Sequence, residues 1–302
     1  MRAKARTLRE LPKSRSFDSA EVRFAQDDRP FCGLNFADWI LDFRDWTLYL
    51  GDWTLEDMLT ISLSNEARVA IEPGFSWDAQ NAYLFDIDGT LLRSRDRVHV
   101  DSFASSVHRV TGFEITLAGI LLHGSTDTAI LREACNQAGV PVEILETRIE
   151  AILEAMRHAV AERRHEMDLV RMPGVEKTLD HLARRGALLG VATGNLEMIG
   201  WIKVEEVGLR QWFRFGGFSD HFPIRSELIG QAANKAREMA GKGASICVVG
   251  DTPRDIEAAR ANFLSVIAVA TGKYSFDELL EHQPEVCATS LADLLAYQRT
   301  TV

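Results

Sequence analysis

Long apolar runs are missing from this chain, and so is any excess of positive charge. No segment reaches the eighteen or more continuous apolar residues that a membrane span requires. The basic start (Arg2, Lys4, Arg6, Arg9, Lys13, Arg15) is not followed by the apolar stretch of a signal peptide. Lys and Arg number 34 against 44 Asp and Glu, a formal charge of -10. The resulting field repels polyanions, so neither nucleic acid nor an anionic membrane is an expected partner. An anionic substrate would need positive charge gathered locally. Cysteine is sparse too. Cys32, Cys135, Cys247 and Cys287 are scattered, with no Cys-x-x-Cys, which reads as reduced thiols in a cytoplasmic protein. Nucleotide fingerprints are wanting: Gly241-Lys242-Gly243 lacks the remaining glycines, and Gly272-Lys273 has no glycine five residues earlier. What is present is 46% hydrophobic residues in a chain of 302, enough for a soluble globular protein with a full core in one large or two ordinary domains.

The most informative segment is Asp86-Ile87-Asp88-Gly89-Thr90, directly after the apolar run Ala82-Tyr83-Leu84-Phe85. At ordinary residue frequencies a fixed Asp-x-Asp-Gly-Thr arises in roughly one chain of this length in a few hundred. Residues i and i+2 of an extended segment point the same way, so both carboxylates would project from one strand tip. Paired carboxylates beside a turn-forming Gly suit metal-assisted attack on a phosphate. The plain alternative is an acidic turn closing a strand.

From residue 82 onward, apolar runs at 82–85, 187–192, 213–218, 245–249 and 265–270 alternate with helical patterns. That alternation predicts an α/β protein with a parallel sheet and helices on both faces. Polar residues follow the runs: Asp86 after the first, Thr193-Gly194-Asn195 after the second, Gly250-Asp251-Thr252-Pro253-Arg254-Asp255 after the fourth. The carboxyl ends of strands are where open parallel sheets bind ligands. Between the first two runs, residues from about Arg95 to Arg171 carry no strand signal. They read as helices, one starting near Ser125-Thr126-Asp127 and stopping at Gly139, another with Leu145, Ile149, Ile152, Leu153, Met156 and Val160 on one face. The expected organisation is therefore an N-terminal extension over 1–76, a main domain over 77–94 and 173–302, and an inserted helical domain over 95–172 standing above the strand tips as a lid. In the extension, Asp38-Trp39, Asp45-Trp46 and Asp52-Trp53 recur every seven residues. A helical Trp stripe and a hairpin fit this repeat equally well. It would pack on the main domain, pair two subunits as a homodimer, or dock a partner.

Hydrolysis of a phosphate monoester needs a positioned nucleophile, charge neutralisation and a proton for the leaving alkoxide. Asp86 is the candidate nucleophile, through an aspartyl-phosphate. Asp88 is the candidate acid and then base, for which its pKa must rise well above that of an ordinary Asp while Asp86 remains ionised. With Mg²⁺ held by a carboxylate of Asp86, the main-chain carbonyl of Asp88 and Asp251, the Asp88 side chain stays free for proton transfer. Asp251 and Asp255 open a helix, where the plain reading makes them a cap and a solvated acid; beside the Asp86 motif they become candidate metal ligands. Thr193 could donate its hydroxyl to a phosphate oxygen, helped by the backbone N–H groups of Gly194 and Asn195. Arg225 and Lys235 are the candidates for offsetting phosphoryl charge, with Arg225 preferred for its planar fork.

These segments together, Asp86 to Thr90, Thr193-Gly194-Asn195 and Gly250 to Asp255 around a helical insertion, resemble the haloacid dehalogenase superfamily. Within it, the chain is similar to the phosphoglycolate-phosphatase-like branch, through His123-Gly124-Ser125-Thr126-Asp127 and through Gly194-Asn195-Leu196 with Lys203 and Gly208-Leu209. The resemblance covers about residues 80 to 290. It implies a doubly wound sheet with a mobile helical cap, Mg²⁺ dependence, a small phosphorylated metabolite as substrate, and contact of Thr126 and Asp127 with that substrate. One departure is that no Pro follows Arg225 where the branch often has Lys-Pro. A phosphomutase or phosphotransferase would use the same core, differing in how well the closed lid excludes water. A dehalogenase would not need Asp88, Asp251 and Asp255, and a non-catalytic binding protein would have lost a carboxylate.

Overall fold

The computed structural model describes residues 67–300. Seven strands form one sheet: β1 (Val69–Ile71), β2 (Ala82–Phe85), β5 (Leu188–Ala192), β6 (Phe215–Gly217), β7 (Ile246–Gly250), β8 (Ser265–Val269) and β9 (Val286–Ala288), in the order β1-β9-β8-β7-β2-β5-β6. All neighbours are parallel except β1, which pairs antiparallel with β9. The edge strand β1 falls inside the stretch expected to precede the main domain; three residues carry too little alternation to announce a strand.

Alternate side chains of each strand divide the core in two. Tyr83, Phe85, Val191 and Val249 face a cluster that buries α4 (Val175–Arg184), α5 (Glu197–Glu206) and α9 (Leu291–Thr300). Ala82, Leu84, Val248 and Val266 face a second cluster with α6 (Arg225–Ala240), α7 (Pro253–Ala261) and α8 (Phe276–Glu281). Helices on both faces of a mostly parallel sheet give the doubly wound architecture. The inner strand β2 has β5 on one side and β7 on the other, so the chain leaves β2 toward one edge of the sheet and later crosses back to its other side. That reversal opens a crevice at the carboxyl end of β2.

Between β2 and β5 lies the helical insert: α1 (Val98–Thr111), α2 (Asp127–Gln137) and α3 (Val142–Glu162). It has its own apolar cluster, including Phe103, Leu131, Ile152 and Met156, and this cluster extends onto Leu196, Ile199 and Ile202 around the start of α5. A two-stranded antiparallel ribbon, β3 (Leu92–Ser94) and β4 (Leu169–Arg171), carries the chain into and out of the insert. β4 corrects the expectation of no strand between about Arg95 and Arg171: its pairing with β3 joins residues nearly eighty apart in sequence and has no local signature. No helix among the described residues is long and apolar enough to cross a membrane. Cys135, Cys247 and Cys287 are buried free thiols. The Asp-Trp repeat and Cys32 lie outside the described residues.

Candidate active site

Strand register brings three polar segments to one level. Phe85 pairs with Val191 on one side and Val249 on the other, so Asp86, the residues after Ala192 and those after Val249 emerge together. Asp86 is fixed by its own N–H, which donates to the carbonyl of Val249 at 2.9 Å. Gly89 then turns the chain at φ 88°, a conformation that favours glycine. A Cβ at Gly89, or at Gly272 from the loop after β8, would fall inside the carboxylate of Asp251, so the two glycines make the space this carboxylate occupies. Thr90 Oγ1 donates to Asp251 Oδ1 at 3.0 Å.

Asp86, Asp251 and Asp255 each offer a carboxylate oxygen within 4.8 Å of the others, and all three are buried. Asp255 closes the N-terminus of α7 in a capping box with Thr252 and accepts from Arg225 Nε at 2.9 Å. Arg225 Nη2 also lies 3.0 Å from Asp86 Oδ2. Burial would weaken the Arg225 charge, but Asp255 and Asp86 more than offset this and keep it charged. Burial, with the charges of Asp255 and Asp88, outweighs Arg225 and pushes Asp86 up to about 6. Burial and the neighbouring Asp86 and Asp255 also raise Asp251 well above the ordinary carboxylate range. Three buried acids facing a single guanidinium form a site short of positive charge, and oxygen ligands at this spacing fit a divalent cation.

Asp88 points elsewhere. Its carboxylate receives Lys203 Nζ at 2.9 and 2.7 Å and Asn195 Nδ2 at 2.8 Å, while Lys203 also donates to Asn195 Oδ1 at 2.9 Å. Burial opposes the Asp88 charge, but Lys203 and Asn195 overcome it and hold the carboxyl below its usual range. The side chain remains 43% exposed, open to the cavity. Lys203 itself is buried on α5 among Ile199, Ile202 and Val204. The sequence marks Lys203 only as part of a likeness and gives it no role. A lysine on the apolar stripe of a helix was the available signal, since such a side chain is rarely buried without a partner.

Thr193 accepts from Asn195 Nδ2 at 2.7 Å, which fixes its hydroxyl at the cavity wall. Gly194 lies against the insert, where a Cβ would collide with the carbonyl of Ser125. Of the two cation candidates, Arg225 reaches the site, whereas Lys235 Nζ donates to the carbonyl of Gly216 at 2.8 Å and is not on the wall. Asp127 lines the cavity, but its Oδ2 accepts Leu196 N at 2.8 Å and faces His99 Nε2 at 3.1 Å. Thr126 does not reach the wall: its hydroxyl donates to Pro223 O at 2.6 Å and caps α2 by accepting Ala129 N. Both residues tie the insert to the loops beneath. The cavity, partly open to solvent, measures about 210 Å³.

A parallel sheet with acids at the tips of β2 and β7, a hydroxyl after β5 and a buried arginine between them defines a hydrolase of the haloacid dehalogenase type. The sequence pattern of the haloacid dehalogenase-like hydrolases matches residues 80–262, and the chain belongs to that family. It is 27% identical over 220 residues to the phosphoglycolate phosphatase of Pseudomonas savastanoi pv. phaseolicola, spanning 70% of this chain and 77% of that one. Phosphoglycolate phosphatase 1 of Pseudomonas aeruginosa is 29% identical over 230 residues, 75% and 82% of the two chains. A crystal structure of a predicted phosphoglycolate phosphatase from Haemophilus somnus 129pt, at 19% identity, superposes with a TM-score of 0.52 over 72% of this chain and 98% of that one, a likeness of fold.

Proposed function

We propose that the protein is a Mg²⁺-dependent phosphomonoesterase that hydrolyses a small phosphorylated metabolite through a phosphoryl group carried on Asp86. The observation that carries this reading is the convergence of Asp86, Asp251, Asp255 and Arg225, with Asp88 held apart on Lys203. Asp86, Asp251 and Asp255 would hold the cation. When bound, it would neutralise charge on the phosphoryl oxygens and favour the ionised form of Asp86.

In the first step a carboxylate oxygen of Asp86 forms a bond to phosphorus while the bond from phosphorus to the ester oxygen breaks. Asp88 gives its proton to the departing alkoxide. Because Lys203 and Asn195 keep Asp88 ionised beforehand, that proton arrives with the monoanion of the ester, whose second pKa is about 6. In the second step water attacks the phosphoryl group, Asp88 takes a proton from it, and inorganic phosphate leaves with Asp86 restored. Arg225 and the Thr193 hydroxyl bind phosphoryl oxygens, and the N–H groups of Gly194 and Asn195 support them. The helices over 98–162 act as a cap domain that excludes water from the cavity.

Phosphate release from a panel of phosphomonoesters, with and without chelator, tests this. Turnover should require Mg²⁺, vanish in Asp86→Asn and fall steeply in Asp251→Asn. Chelator-resistant turnover would remove the cation from the scheme, and an active Asp86→Asn enzyme would remove the nucleophile.

A further inference from the structure

The cavity wall is divided by chemistry. Its charged groups come from the strand tips and from α5 and α6, with Asp96 and Asp127 added from the insert. The insert contributes, beside Asp96, His99, His123, Ser125 and Asp127, an apolar roof: Val100 and Phe103 from α1, Leu117 and Leu122 from the connection to α2, and Ile130 from α2. Both cations on the wall are already engaged by carboxylates, Lys203 by Asp88 and Arg225 by Asp86 and Asp255. His99 faces Asp127, and Asp96 places a further acid on the same wall.

A phosphoryl group held by Asp86, Arg225 and Thr193 therefore leaves the alcohol part of its ester against aliphatic and aromatic side chains. A carboxylate on that part would lose its water against Leu117, Leu122 and Phe103 and face Asp96 and Asp127, with both cations on the wall already paired.

We propose that the site selects phosphomonoesters of small, uncharged alcohols with an apolar carbon skeleton, and that it discriminates against alcohols bearing a carboxylate. This rests on the phosphatase reading above, and it separates the chain from the relatives named for phosphoglycolate. The roof side chains, Leu122 and Leu117 among them, are then specificity determinants.

The test is kcat/KM, in Mg²⁺, for isobutyl phosphate against 2-phosphoglycolate, with p-nitrophenyl phosphate as a general phosphatase probe. The neutral ester should lead by at least tenfold, the scale on which a few apolar contacts discriminate. Leu122→Arg should narrow that ratio at least tenfold, and Leu117→Lys should move it the same way if the first variant does not fold. Equal or better turnover of 2-phosphoglycolate, with p-nitrophenyl phosphate also hydrolysed, would overturn the substrate class and leave the phosphatase standing. Failure to hydrolyse any of the three would overturn the phosphatase reading, and the substrate class with it.

Discussion

Asp86 and Asp88 are two residues apart and have opposite environments, but in the sense opposite to the one expected of a nucleophile and an acid. The proposed roles therefore need a bound cation to ionise Asp86 and the ester monoanion to bring Asp88 its proton. Burial without a full counter-charge lifts Asp86, while Lys203 and Asn195 lower Asp88. Replacing Lys203 by Met removes the cation that holds Asp88 down. We expect kcat to fall about 10- to 100-fold and the acidic limb of the pH profile to move upward, the usual range for disturbing a proton-transfer group. A profile that keeps its shape would mean that Lys203 only supports packing. Gly272→Ala should force Asp251 aside, since its Cβ would occupy the carboxylate's position. Mg²⁺ affinity should drop at least tenfold with the far-ultraviolet circular dichroism unchanged; wild-type affinity would contradict the assigned ligand. The tandem carboxylates were legible in sequence because they are adjacent in one motif. Lys203 was less so, because its link to Asp88 depends on the phase of α5 and the reach of a long side chain.

At the scale of elements, the tips of β2 and β7 crowd three acids that no single element would hold together. Asp86 and Asp251 are raised in the folded protein, so each binds its proton more tightly there than in the unfolded chain. The stability they contribute is complete below their ordinary carboxylate values and is lost as pH rises through the folded ones. In chelator the melting temperature should therefore fall between pH 5 and pH 8, with Asp86 alone contributing on the order of 2 kcal/mol, or about 5 °C. Mg²⁺ should restore it at pH 8 more than at pH 5, and Asp251→Asn should flatten the slope. A melting temperature insensitive to pH and to the cation would contradict the crowding. The insert is tied to the main sheet by Asp127 to Leu196 N, Thr128 Oγ1 to Ser219 O at 2.9 Å, and Arg157 to Asp220 at 2.8 Å. Removing the Asp127 carboxylate in Asp127→Ala should raise hydrogen exchange across residues 123–130 and raise KM more than it lowers kcat. Unchanged exchange would show that the apolar contacts alone hold this segment. The long strands and α3 were visible in the periodicity of their own residues. The edge strand β1 and the β3–β4 ribbon were not, since each is three residues long and exists only through a distant partner.

For the whole molecule, a net charge of -10 surrounds a site whose cations are few and buried. In the proposed scheme Arg225 serves the phosphoryl group and Lys203 its acid, and both are engaged by acids in the structure. The alternation of strands and helices made the doubly wound sheet readable from residue 82 onward. The order of the strands was not, because local patterns do not say which neighbour a strand takes. That order matters most, since it puts β5 and β7 on either side of β2 and so assembles the site from segments more than a hundred residues apart. The central claim is that this assembly passes a phosphoryl group through Asp86. It is tested most directly by mixing Asp88→Asn with p-nitrophenyl phosphate and Mg²⁺, whose good leaving group needs no acid, and then mapping the product by mass spectrometry. The account predicts a burst of nitrophenol and one phosphoryl group on the peptide containing Asp86, missing in the Asp86→Asn, Asp88→Asn double variant. A burst with that peptide unmodified, or continued turnover in the double variant, would contradict it.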